Sequence, residues 1–405
     1  MESEKILQEA KELKDYLVKI RRTLHAAPET GFSLDNTKKL VTKELQAMGY
    51  ETKSCGKCGI TALVGNKDKE SDRVFLIRSD MDALPIKEET GIDFASDNGN
   101  MHACGHDFHT TMLLGAAKLL KLHESEINGR IKLMFQPAEE IFQGSQDMID
   151  DGILENPKVD AGMMIHVMVG MPMPVGTAVI ASEGVSAPAA DYFEIKVQGL
   201  GCHGSMPNTG VDPMIIAAHI LLGLQEIQTR ELSIQDKVVV TVGNIYGGNA
   251  SNVIPDMVTL AGTIRCFDED VRALVKKRME EISSGIASTF RGKAWVEFGS
   301  GCPTLVNDGS VSSCVADSCK ELLGDKGAFT AAELSKGSAS SQSGGAEDFA
   351  YISHKIPTAM VALAAGGPKE GCTFPLHHPK VRFDEEALCY GAAIYAYSAI
   401  KWLEQ

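Results

Sequence analysis

Short apolar runs of strand length alternate with segments of helical period along most of this chain, and that alternation limits the fold to an α/β class. "ITALVG" and "RVFLIRSD" read as strands, and a helix is predicted from Asp107 to about His123. "RIKLMFQPAEE" is a strand ending in a proline turn, and "AGMMIHV" is another short strand. Ahead of them, the first ~50 residues read as two helices. Leu7, Leu13, Leu17, Ile20 and Leu24 recur at helical spacing. "PETG" then breaks the chain, and Ser33 or Asp35 stands where it could cap the second helix, which ends at "MGY".

The texture changes after "VGTAVIASEG". "DYFEIKVQG" alternates like a half-exposed strand, "DPMIIAAHILLGLQEI" is helical, and "KVVVTVGNIYGG" and "NVIPDMVTLAGTIRCF" are strands. "DEDVRALVKKRMEEISSGIA" is a helix and "KAWVEF" a last strand. The order β-α-β-β-α-β is that of a ferredoxin-like α+β sandwich. The α/β pattern resumes near "DGSVSSCVADSCKELLG" and closes with "DEEALCYGAAIYAYSAIKWLEQ". The expected organisation is a discontinuous domain over 1–187 and 300–405, interrupted by a smaller one over 188–299. "SKGSASSQSGG", 335–345, reads as a mobile loop.

A chain of 405 residues, 44% of them hydrophobic, is long enough for two domains. Its net charge of −15 argues against nucleic acid or an anionic membrane surface as partner. No apolar run reaches the ~18 residues of a transmembrane helix, and "MESEKILQEAKELK" has no apolar signal-peptide centre. Ten scattered cysteines then read as reduced thiols, and a cytoplasmic location is expected.

The chemistry concentrates in "MHACGHDFHTT", residues 101–111. Cys104 and His106 cannot share a face of a regular helix, but an extended segment just before one lets both point inward. Thiolate with imidazole is a zinc-type donor pair; the competing reading is a buried cysteine and a satisfied histidine at a helix start. In "QPAEE" the adjacent Glu139 and Glu140 point in different directions, so one could bind metal while the other holds a water. They are equally readable as an exposed acidic loop, except that they end an apolar strand, where α/β sheets carry their sites. His166 in "MMIHV" and a histidine of "LHHP", 376–379, are weak signals singly. Taken together with Cys104, His106 and one of the two glutamates, they make five ligands on four strand ends, a count that suits two metal ions sharing ligands.

The ordered series "LHAAPETGFS", "RSDMDALPI", "MHACGHDFHTT", "FQPAEE", "IHV", "GCHGSMP", "NVIPD…GTIR", "GAEDFAY" and "LHHP" resembles the aminoacylase/carboxypeptidase metallopeptidase superfamily, in its amidohydrolase branch of hippurate and indole-acetyl-amino-acid hydrolases. The resemblance runs from about Ile20 to Leu388. It implies a di-metal catalytic domain with a mixed sheet flanked by helices, plus an inserted ferredoxin-like lid and dimerisation domain. It makes Cys104, His106, Glu140, His166 and His377 the ligands of two divalent ions per subunit (Zn, Mn, Ni or Co) and Glu139 the general base. Asp82 would support a ligand from behind. In other branches a histidine two positions earlier binds metal; here that position is Asp80, and Cys104 would supply the missing ligand. His203 becomes an oxyanion donor presented by the lid, and Asn252 and Arg265 contribute to substrate binding. The implied reaction is hydrolysis of N-acyl amino acids in a homodimer or higher oligomer. A dipeptidase, an N-acyl-diaminopimelate deacetylase and a non-catalytic metal- or thiol-binding protein are the alternatives.

Other signals are weaker. "GLGCHG", 199–204, fits a dinucleotide fingerprint but lacks the acidic residue about twenty positions on. "SCGKC", with Cys55 and Cys58, has no partner pair for a zinc knuckle. Glu347 and Asp348 stand where they could cap a helix.

Overall fold

The computed structural model describes residues 2–65, 71–335 and 344–405. The chain forms two compact units. The second is built on Ala187–Leu305 and takes in the short segment ending at Glu347; the first holds the chain up to Ser186 and the remainder from Val306 onward.

The first unit carries an eight-stranded sheet in the order Thr52–Cys55, Gly59–Val64, Arg130–Gln136, Val74–Asp80, Ala161–Met168, Thr358–Ala364, Ala178–Ile180, Ala328–Thr330. The four central strands, from Arg130–Gln136 to Thr358–Ala364, are mutually parallel, and their neighbours on either side run antiparallel to them. Val74–Asp80 is buried at all seven positions, which is why its sequence does not alternate. Helix His106–Leu122 and the terminal helix Ala387–Leu403 are buried along nearly their whole length and pack on each other. The Tyr395 hydroxyl donates to the Arg78 carbonyl at 2.6 Å and accepts from the Ile165 N–H at 2.9 Å, pinning two central strands to that helix.

The amino-terminal region holds three helices rather than two, Ser3–Glu12, Lys14–Ala26 and Asp35–Ala47, because the first is interrupted at Leu13. Neither Ser33 nor Asp35 caps the third. Its first free N–H groups, on Asn36 and Thr37, go instead to the Glu29 carboxylate at 3.1 and 2.8 Å, an acceptor supplied by the preceding loop. Cys55 and Cys58 are buried free thiols at a strand end and in the hairpin turn beyond it. Most of the Ser/Gly-rich stretch at 335–345 lies outside the described residues.

The second unit is a four-stranded antiparallel sheet in the order Val238–Gly247, Met257–Cys266, Ala189–Gln198, Lys293–Cys302, with helices Pro213–Gly223 and Glu269–Thr289, a ferredoxin-like arrangement. Phe193, Ile195 and Val197, alternate residues of one strand, meet Ile216, Ile220, Val275 and Met279 from the helices in its core. Asp212 and Asp268 cap those helices through their side chains. Among the described residues no helix is long and apolar enough to cross a membrane.

Candidate metal centre

The carboxyl ends of the central parallel strands converge in the first unit, and the candidate residues gather there. Asp80 ends one strand, Glu139 and Glu140 follow the next, and His166 lies near the end of the third. Cys104 and His106 flank Gly105, the N-cap of helix His106–Leu122, whose φ of 88° is left-handed. A Cβ on Gly105 would fall 2.4 Å from Val167 Cγ2, so only glycine allows the chain to turn this sharply. The turn brings both flanking side chains into one cluster despite their spacing of two.

Hydrogen bonds orient the imidazoles. His106 Nδ1 lies 2.8 Å from the Asp82 carbonyl, and His166 Nδ1 lies 2.7 Å from the Val167 carbonyl. A carbonyl only accepts, so each Nδ1 carries a proton, and Nε2 is the nitrogen turned toward the cluster. His166 Nε2 lies 3.5 Å from Cys104 Sγ, and His377 Nε2 lies 3.2 Å from the same sulfur. Glu140 closes the group, 3.8 Å from Nε2 of both His106 and His377. Overlapping sets of potential ligands include Cys104, His106 and His166; Cys104, Glu140 and His377; and His106, Glu139 and Glu140. His106 Nε2 and Glu140 Oε1 are buried without a hydrogen-bond partner among the described residues. Orphaned polar atoms in a thiol, imidazole and carboxylate cluster fit a pair of divalent cations sharing ligands.

Electrostatics agree. Burial, aided by the charge of Glu140, holds the Cys104 thiol well above its ordinary value. Burial also pushes Glu140 up to about 7, with Asp82 and Asp80 adding to it, and pushes His166 down to about 3. For His106, burial opposes the charged form, but Asp80 and Cys104 outweigh it and raise the imidazole well above its usual range. Burial disfavours the anionic forms of Cys104 and Glu140, and a cation bound between them would offset that cost.

The acidic turn itself is conformationally strained. Ala138 and Phe142 take φ of 56° and 54°, a region non-glycine residues avoid. The Asp82 carboxylate holds the turn, accepting from the N–H groups of Glu139 at 2.9 Å and Glu140 at 3.2 Å. The Asp82 side chain therefore grips the acidic turn, while its main-chain carbonyl orients His106. Glu139 is 5% exposed, and its Oε2 lies 3.9 Å from His106 Nε2.

Sequence reasoning missed three features. His109, inside the same motif as His106, gives Nδ1 to Asp80 at 2.6 Å and accepts the Val167 N–H on Nε2 at 2.9 Å; both nitrogens are engaged, so it has no lone pair for a metal. Arg78 is fully buried between Asp80 and Asp348, at 2.9 and 3.0 Å. Asp348 is no helix cap: its carboxylate is buried and accepts from Arg78, Gln136 and the Ser145 N–H. An available signal was the arginine that follows the apolar run "VFLI" within the strand "VFLIRSD".

In the second unit, His203 is exposed, paired with Val253 in a short two-stranded ladder, and its Nδ1 meets the Ser205 hydroxyl at 2.9 Å. Asn252 is exposed on the facing loop, where its carbonyl accepts from Gly204 at 2.8 Å. Arg265 is half-buried on the strand Met257–Cys266, its guanidinium 3.1 Å from the Ile264 carbonyl.

Against known proteins, the chain is 34% identical over 389 residues to an N-acetylcysteine deacetylase of Bacillus subtilis (strain 168), covering 96% of this chain and 97% of that one. It is 35% identical over 410 residues to an IAA-amino acid hydrolase of Arabidopsis thaliana, covering 99% and 89%. A solved dinuclear metal-binding peptidase of the M20 family from Bacillus subtilis superposes with a TM-score of 0.79 at 33% identity, over 98% of this chain and 99% of that one. Residues 76–401 match peptidase family M20/M25/M40, and the chain belongs to that family.

Proposed function

We propose that this chain is a metal-dependent amidohydrolase that cleaves the amide of N-acyl amino acids to a carboxylic acid and a free amino acid. The observation that carries the reading is Glu139, a buried carboxylate adjoining the ligand cluster with its main chain clamped by Asp82. Relatives named for N-acetylcysteine deacetylation and IAA-amino acid hydrolysis support the substrate class.

In this reading Cys104, His106, Glu140, His166 and His377 hold two divalent ions, as the dinuclear relative does with its own site. Thiolate, imidazole and carboxylate together suit zinc or another late divalent metal such as Mn, Ni or Co. Bound there, the ions supply Lewis acidity to the attacking water and the amide carbonyl. Glu139 takes the proton of that water as it attacks and returns it to the leaving amine. Asp82 fixes the turn bearing Glu139 and Glu140. Residues 188–299 serve as the lid and dimerisation domain between the catalytic segments 1–187 and 300–405. His203 donates to the tetrahedral oxyanion from that lid, and Asn252 and Arg265 bind the substrate's acyl oxygen and carboxylate. Ten free cysteines suit a reducing cytoplasm.

A panel of N-acyl amino acids and dipeptides, assayed with metal-reconstituted and chelated protein, tests the assignment. Metal-dependent release of amino acid from the N-acyl series supports it; turnover confined to dipeptides, or none at all, overturns it.

A further inference from the structure

Glu139 is held at its main chain by Asp82, but a base works through its carboxylate. One oxygen of that carboxylate, Oε1, accepts from the Asp348 N–H at 3.4 Å. Among the described residues, the buried Asp348 carboxylate is in turn held by hydrogen bonds from Arg78 Nη2 at 3.0 Å, from Gln136 Nε2 at 2.6 Å and from the Ser145 N–H at 2.9 Å. Arg78 also reaches the strand ends, donating Nε to Gln136 at 2.8 Å and Nη1 to Asp80 at 2.9 Å. Asp80 faces His106 Nε2 at 3.6 Å. One guanidinium therefore ties the loop behind the base to the carboxylate beside a candidate ligand.

We propose that Asp348, locked by Arg78, is a positioning residue for the reaction: its N–H aims the Glu139 carboxylate, and the Arg78 fork keeps that aim in register with Asp80 and His106. The inference rests on the amidohydrolase reading and on Glu139 as its base. A fork can do this where a lysine could not, because guanidinium geometry fixes two acceptors at once. Stacking three elements behind one carboxylate is what sub-ångström placement requires.

The competing account is charge balance alone, in which Asp348 only neutralises a buried arginine. Two variants separate them. Asp348→Asn keeps the size and removes the charge; Asp348→Glu keeps the charge and moves the loop by one methylene. Positioning predicts that both variants, compared at equal metal content, lose kcat by ~10–100-fold with KM changed less than ~3-fold, the signature of misplacement in the transition state. Charge balance predicts that Asp348→Glu retains kcat, and that any loss in Asp348→Asn appears in thermal stability rather than in turnover per folded, metal-loaded molecule. Either result overturns the proposal. If Asp348→Asn does not fold, Asp348→Glu alone carries the test; failure of both to give folded, metal-loaded protein assigns the residue to folding and also overturns it. Wild type and Glu139→Gln are run alongside. An inactive wild type sinks the amidohydrolase reading itself, whereas an active wild type, a dead Glu139→Gln and unimpaired Asp348 variants sink only this inference.

Discussion

The Asp82 carboxylate accepts the main-chain N–H of Glu139 at 2.9 Å and so fixes the backbone of the proposed base rather than its side chain. The same carboxylate holds the Glu140 N–H, and the turn it stabilises contains two left-handed non-glycine residues. Asp82→Asn replaces one acceptor oxygen with a donor that faces an N–H, leaving a buried group unsatisfied at a cost of about 1–3 kcal/mol. The turn should relax, and metal affinity should fall by ~10–100-fold. Metal titration with a competing chelator, together with a thermal melt, reads both effects. Wild-type affinity in a folded variant would contradict the clamp.

Glu139→Gln keeps the shape of the turn and every proposed ligand but removes the proton acceptor. Metal content should match wild type, and kcat should drop by ~10²–10⁴-fold. Elemental analysis beside steady-state kinetics checks both. Near-normal turnover would mean that another group takes the proton.

Metal loading should be pH-dependent, with a defined sign. Burial holds the Cys104 thiol well above its usual range and Glu140 at about 7. Both must shed protons to ligate, so protons compete with the metal and affinity should weaken as pH falls from about 8 to about 6. Calorimetry in buffers of different ionisation enthalpy should detect protons released on binding. Chelation should lower the melting temperature, since a ligand at 1,000 times its Kd stabilises by about 4 kcal/mol. In Cys104→Ala that metal-dependent increment should shrink. An increment that is undiminished in Cys104→Ala would exclude the thiolate as a ligand.

Local pattern carries much of this fold. Val74–Asp80 and Arg130–Gln136 show as apolar strands, and the helices capped by Asp212 and Asp268 announce their starts. What the sequence hides is decided by partners outside the local motif. His106 and His109 look alike in "GHDFH"; only the Val167 N–H, 58 residues from His109, takes one of them out of contention. Asp348 reads as a possible cap because its partner Arg78 lies 270 residues away. Glu29 replaces the expected caps of helix Asp35–Ala47 because a loop carboxylate reaches its free N–H groups first. The misses at His109 and Asp348 are tertiary contacts, whereas Glu29 acts from the loop only seven residues before Asn36.

The proposed lid should matter for turnover although it supplies no ligand. His203 is exposed and lies in the second compact unit, and all five proposed ligands lie in the first. His203→Ala should slow hydrolysis while leaving metal content intact, because an oxyanion donor acts mainly in the transition state. In a dimer that lends this histidine to its neighbour, mixing His203→Ala with Glu139→Gln protein should restore activity. A hybrid dimer then holds one site with both residues intact, while each parent alone is nearly inactive. Random exchange of equal amounts makes about half of all dimers hybrid, each with one working site of two, so recovery should approach roughly a quarter of wild-type activity if sites act independently. Native mass spectrometry on mass-tagged subunits verifies that exchange has occurred. Exchange without recovered activity would place His203 in its own subunit's site or outside the reaction, and the shared-site dimer would have to be abandoned.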